Sequence, residues 1–125
     1  MILMIGVGLS SCKKESADPS YVASVAAKGY YDLLLQGKCE DFVAGYNCPN
    51  RLPDSYQKQL LLNTQMFLEQ QQTEHKGMSE VKVLNAKADT SGHVADVFLQ
   101  VSYGDSTKEQ ISVPMVEVGG KWKMR

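Results

Sequence analysis

After residue 17, the apolar positions recur first at helical spacing and then at every second residue. Val22, Val25, Ala26, Tyr30, Leu33 and Leu34 fall on one helical stripe. Asp18-Pro19 supplies an N-cap and a residue suited to the first helical position, and Gly37 supplies a stop. A second, short helix fits Lys38 to Tyr46 and buries Phe42 and Val43. A third begins near Pro53-Asp54 with Tyr56, Leu60, Leu61, Thr64, Phe67 and Leu68 on its stripe, and ends by Lys76-Gly77. From there the period becomes two. Glu80 to Thr90 carries Val81, Val83, Ala86 and Ala88, with a phase slip at Leu84 that predicts a bulge. Ala95, Val97, Leu99, Val101 and Tyr103 share one face of the next strand, and Asp96, Gln100 and Ser102 share the other. Gln110 to Val118 makes a third strand, in which Pro114 implies an edge or a bulge. Gly119-Gly120 turns the chain into a last strand, Lys121 to Arg125, which carries Trp122 and Met124. The order predicts an α+β domain: three N-terminal helices packed on a curved four-stranded antiparallel sheet.

The first residues follow a different rule. Met1 to Leu9 is an apolar run of the length of a signal-peptide core, too short to span a bilayer. It leads into Leu9-Ser10-Ser11-Cys12 and then abruptly into Lys13-Lys14-Glu15. An aliphatic residue, two small residues and a cysteine look like a lipobox, in which the small residues fit a peptidase cleft and the cysteine sulfur takes the lipid. No Lys or Arg stands before Cys12, a departure from the usual basic start of such signals. The expected organisation is a signal peptide over 1–11, lipidated Cys12 with its tether over 12–17, and a domain over 18–125. Two or three acyl chains, at about 0.8 kcal/mol per buried methylene, would hold the chain firmly to a membrane. The expected location is the bacterial cell envelope, at the outer membrane, on its periplasmic or surface side.

A formal net charge of −1 over 125 residues lacks the basic footprint of a nucleic-acid binder. The length suits one domain able to bury a core of its own. Cys39 and Cys48 form a candidate disulfide if Cys12 is lipidated. In one continuous helix they would stand about 13 Å apart, too far to bridge, whereas a break at Gly45 or Asn47 lets the chain double back.

The segment Ala27-Lys28-Gly29-Tyr30-Tyr31-Asp32-Leu33-Leu34-Leu35-Gln36-Gly37-Lys38 and the closing Val118-Gly119-Gly120-Lys121-Trp122-Lys123-Met124 resemble the NTF2-like (cystatin-like) superfamily. They are similar in particular to its small lipoproteins of the DUF4878 kind from Bacteroides-like bacteria. The resemblance covers the chain after residue 17. It implies a cone between helices and sheet and carries over no catalytic residue, because a fold does not by itself define a function.

Candidate chemistry is sparse. His75 and His93 read as solvent-facing, and no zinc-ligand spacing or phosphate loop is present, so no metal or cofactor is implied. Asp32, Glu40 and Asp41 are the acids nearest the cone, Asp32 pointing away and the other two opening the second helix. Tyr30, Tyr46, Tyr56, Tyr103 and Trp122 either line a small-molecule pocket or fill the core. Val94 and Phe98, on the outer sheet face, raise a homodimer, against which the polar Asp96, Gln100 and Ser102 argue. Three readings follow: an anchored module binding a small ligand or an envelope protein, an enzyme of the fold using a buried Asp or Tyr, and a structural component of an envelope assembly.

Overall fold

A computed structural model describes residues 18–47 and 54–125. The order is α1 (Pro19–Leu35), α2 (Cys39–Val43), α3 (Asp54–His75), β1 (Met78–Ala88), β2 (Val94–Tyr103), β3 (Lys108–Val118) and β4 (Lys121–Met124). The strands form one antiparallel sheet in the order β1-β2-β3-β4. The fold is the expected α+β arrangement.

Local chemistry sets the ends of α1. The Asp18 side chain accepts from the Ser20 amide at 3.1 Å. At the other end Gly37, with φ +80°, donates to the Leu34 carbonyl at 3.0 Å, and Lys38 donates to Leu33 at 2.9 Å. This pair of bonds is a Schellman stop, which needs the left-handed backbone glycine adopts without strain. The buried face of α1 is Ala23, Ser24, Ala27 and Leu34. Val22 and Val25 are turned to solvent instead, at 39% and 54% exposed. The small alanines let the helix backbone lie close against the sheet, a fit that valines in their place would hinder.

The sheet's inner face alternates as the sequence pattern requires. Ala95, Val97, Leu99, Val101 and Tyr103 of β2 are all buried, beside Val81 of β1 and Val113 and Met115 of β3. Register shifts between Val83 and Asn85, so the slip at Leu84 is a bulge. β1 and β3 each start two residues earlier than the pattern indicated. Pro114 pairs across β2 with Asp96, and its carbonyl accepts from the Arg125 amide at 2.9 Å, just beyond the end of β4. The proline's missing donor thus faces a place where β4 has run out. On the outer face Val94 and Phe98 are half-buried among Asp96, Gln100 and Ser102.

Two departures shape the interior. α2 ends at Val43, and Tyr46 makes a parallel bridge to Met124 where a continued helix was expected. Gly45 is the reason: a Cβ there would lie 2.5 Å from Cδ1 of Tyr30, so the chain bends past that ring where only glycine fits. Helix α3 buries only Thr64 and Gln71, while Tyr56, Leu62, Met66 and Phe67 are exposed. It stands off the sheet as a strut. Its C-terminal end is docked on the β2–β3 turn, where Gly104 donates to the Gly77 carbonyl at 2.8 Å and Asp105 donates to the His75 carbonyl at 3.0 Å.

Candidate functional site

The space between the strut and the sheet is a cavity of about 340 Å³. Leu34 and Tyr31 of α1, Phe42 of α2 and Tyr46 form its back wall. Val101, Tyr103, Glu109 and Ile111 form its floor on β2 and β3, with Met78 of β1 beside them. Asn63, Thr64 and Phe67 of α3 form its roof. The exposure of Phe67 thus arises in part at the cavity that α3 spans.

The wall rings are mutually braced. Tyr31 meets Phe42 edge to face at 5.2 Å and 85°, and Phe42 meets Tyr46 at 5.6 Å and 84°. Tyr46 is held by its neighbours' backbone, since Asn47 donates to Met124 and Met124 donates to Gly45, both at 2.8 Å. On the floor the Tyr103 hydroxyl donates to Oε1 of Glu109 at 2.7 Å. Burial pushes the Tyr103 phenol up, and its hydrogen bond to the Glu109 carboxylate pushes the same way. Behind Tyr103 the His75 ring lies at 4.9 Å. His75 Nδ1 is 2.9 Å from Oδ2 of Asp105, whose carboxyl is held down at about 2, first by the Thr107 hydroxyl and then by His75. This cluster ties the end of α3 to the mouth of the cavity.

Burial pushes the Tyr31 phenol up to about 12, with a smaller contribution from Tyr46. The raised value means that the folded state resists ionisation more than the unfolded chain does. Stability from this group is therefore complete below pH 10 and falls as pH rises towards 12. The expected loss is about 2–3 kcal/mol across that window. Urea unfolding at pH 8 and pH 11, with tyrosinate absorbance followed in parallel, checks it; equal stability at the two values would contradict it.

The tyrosines and tryptophan singled out from the sequence separate into groups. Tyr46 and Tyr103 line the cavity. Tyr30, one residue from Tyr31, turns to the closed end, where its hydroxyl donates to the Trp122 carbonyl at 2.7 Å. Trp122 is buried in the core, and Tyr56 is exposed near the start of α3. Asp32 pairs with Lys28 at 2.8 Å, and Glu40 and Asp41 lie exposed in the first turn of α2. His93 is exposed and pairs with Glu117 at 2.6 Å. Cys39 is buried, and it forms no disulfide among the described residues. Cys12 and Cys48 lie outside the described residues, and with them the lipidation and disulfide expectations. Sequence reasoning missed Tyr31, Phe67 and Glu109. Glu109 was legible by extending the alternation of Ile111, Val113 and Met115 back by one step. Among the described residues no group of three or more His, Cys, Asp or Glu side chains is placed to hold a metal ion. No helix among them is long and apolar enough to cross a membrane.

Among solved structures, the chain is similar to a Campylobacter jejuni protein provisionally assigned as an NTF2-like transpeptidase. The TM-score is 0.58 at 11% identity, over 78% of this chain and 92% of that one. The fold is NTF2-like. No family model matches the chain, and no curated protein matches it. The Tyr103–Glu109 pair lies on the β2 and β3 side of the space roofed by α3, with Glu109 exposed.

Proposed function

We propose that this chain is an envelope lipoprotein, anchored through Cys12, whose NTF2-like domain binds a small, largely apolar molecule in the cavity beneath α3. The observation that carries the binding half is the cavity itself: about 340 Å³, with apolar and aromatic walls and a few convergent polar groups. That is the make-up of a small-molecule site. A closed structural module would instead have brought α3 down onto the sheet to bury Phe67. The apolar run before Cys12 and the small residues at Ser10-Ser11 support the anchor.

Binding is favoured over acyl transfer by the chemistry of the lining. A transpeptidase needs an activated nucleophile. Among the described residues the cavity lining holds no serine, cysteine or histidine, and Thr64 donates its hydroxyl to the Leu60 carbonyl of its own helix at 2.8 Å.

Titration with the apolar dye N-phenyl-1-naphthylamine tests the binding half. The expected result is a saturable fluorescence rise that Asn63→Trp, which fills the cavity from its roof, weakens by about tenfold or more. A dye response unchanged in that variant would contradict the assignment. For the anchor, the full chain expressed in a bacterial host is expected to lose residues 1–11 and gain acyl mass. Cys12→Ala is expected to abolish both, as read by intact-mass analysis; an unprocessed wild-type chain would refute the anchor.

A further inference from the structure

One polar group on α3 is taken out of water and given nothing in return. Thr64, Phe67, Gln71 and His75 follow one another at helical spacing along one side of the helix. Gln71 is only 9% exposed. Its main-chain carbonyl accepts from the Gly77 amide at 3.0 Å, at the end of the helix. Its side-chain carboxamide makes no hydrogen bond to any described residue. Exposed glutamines of the same helix reach a partner one turn on: Gln59 donates to Asn63 at 2.8 Å, and Gln70 donates to Glu74 at 3.1 Å. One turn on from Gln71 stands His75, whose Nδ1 faces Asp105 at 2.9 Å instead. A buried carboxamide without a partner lowers stability, a cost that an apolar side chain of the same length would not carry.

Gln71 lines a second hollow, also of about 340 Å³, which adjoins the cavity beneath α3 and shares Phe67, Tyr103 and Glu109 with it. Phe67, Gln71 and His75 stand on its α3 side, and Tyr103 and Thr107 stand opposite. The other polar groups here are engaged with one another. The Thr107 hydroxyl donates to Asp105 at 2.6 Å, and the Tyr103 hydroxyl donates to Glu109 at 2.7 Å. Lys108 and Glu109, one charge of each sign, are exposed at the rim. Gln71 therefore presents to the hollow a buried donor and a buried acceptor side by side. The hollow lies towards the end of α3, about 25 Å along the helix from Asp54, where the described chain resumes. The start of α1 is at the other end of the sheet, where Ser20 Oγ accepts from the Ala88 amide at 2.9 Å.

We propose that this hollow is a second binding site, which takes a neutral amide with an apolar body: the amide pairs at two points with the Gln71 carboxamide, and the body lies against Phe67 and Tyr103. The partner of a carboxamide must accept from its NH2 group and donate to its oxygen. An amide does both through neighbouring atoms. A ketone only accepts. A carboxylate also only accepts, and it must give up far more hydration to reach a buried group. Lys108 and Glu109 offset one another at the rim, so their combined charge favours neither sign. The site goes beyond the reading of the cavity beneath α3 and stands whether or not that cavity takes a ligand.

The experiment uses three probes that differ only at the head group: 4-phenylbutanamide, 5-phenylpentan-2-one and 4-phenylbutanoate. Each is titrated into the full chain by NMR, with the side-chain NH2 signals of Gln71 as the local reporter. The amide is expected to bind about tenfold tighter than the ketone or the carboxylate and to shift those signals. Gln71→Met, which keeps the length of the side chain and removes both polar atoms, is expected to reduce that preference to about twofold or less. The same variant is expected to melt about 4 °C or more above the parent, because it removes the unpaired group. Binding of the ketone or the carboxylate as tight as that of the amide overturns the proposal. So does a preference that survives in Gln71→Met, a melting temperature lowered by that substitution, or no binding by any probe. N-phenyl-1-naphthylamine, titrated in parallel, reports on the cavity beneath α3 separately: dye binding without probe binding leaves that reading in place, and probe binding without dye binding leaves this one. The comparison of probes on the unaltered chain decides the matter even if the variant folds poorly.

Discussion

Gly104→Ala is expected to destabilise the domain by about 2–3 kcal/mol and to weaken dye binding in the molecules that remain folded. A Cβ at this position would lie 2.6 Å from the carbonyl oxygen of Lys76 and 2.9 Å from its Cβ. The first of these is backbone, which cannot swing aside as a side chain can. Gly104 also donates to the Gly77 carbonyl, and Asp105 beside it donates to His75, so relief of the clash moves the β2–β3 turn off the end of α3. That turn aligns Tyr103 with His75 and holds one end of the cavity roof. Stability is read by urea denaturation and the site by dye titration. A variant within about 0.5 kcal/mol of the parent, the range of a neutral surface change, would show that the docking of α3 is looser than described.

Leu99→Ala is expected to have the larger effect on stability, about 3–4 kcal/mol, with little effect on the site. Leu99 is fully buried at the centre of β2, between Val83 of β1 and Ile111 of β3. Strands on both sides prevent the sheet from collapsing into the space left by the lost atoms, so the cavity term adds to the lost transfer energy. Leu99 does not line the ligand cavity, so molecules still folded below the denaturation midpoint should bind the dye as the parent does. The pair of variants thus separates the core from the roof. One lowers stability with the site intact, and the other lowers stability by disturbing the site's support.

The contrast also marks what the sequence could and could not reveal. The boundaries of α1 were legible because Asp18, Pro19 and Gly37 act through local bonds that need no distant partner. The bulge at Leu84 and the buried face of β2 were legible because strand alternation is strict, and a slip of one residue turns every side chain over. The buried side of α1 was less so. Apolar residues occur on several sides of that helix, and the choice of Ala23 and Ala27 over Val22 and Val25 depends on how closely the sheet approaches. The same rotation separates Tyr31, in the cavity, from Tyr30, at the closed end. Helix α2 was drawn too long because the obstacle at Gly45 is a ring 15 residues earlier in the chain, invisible to local pattern. Glu109 was overlooked because β3 begins before the apolar run that identified it. Helix α3 has an apolar stripe of ordinary appearance, and no local feature says that part of the stripe faces a cavity.

The central claim is that the space under α3 takes a ligand. It is tested most directly by methyl-resolved NMR of the protein during titration with N-phenyl-1-naphthylamine. The account predicts saturable shifts concentrated at Leu34, Met78, Val101 and Ile111, with Val22 and Val25 on the outer side of α1 unmoved. Shifts spread over the exposed apolar residues, or none at the cavity methyls at saturating dye, would contradict it.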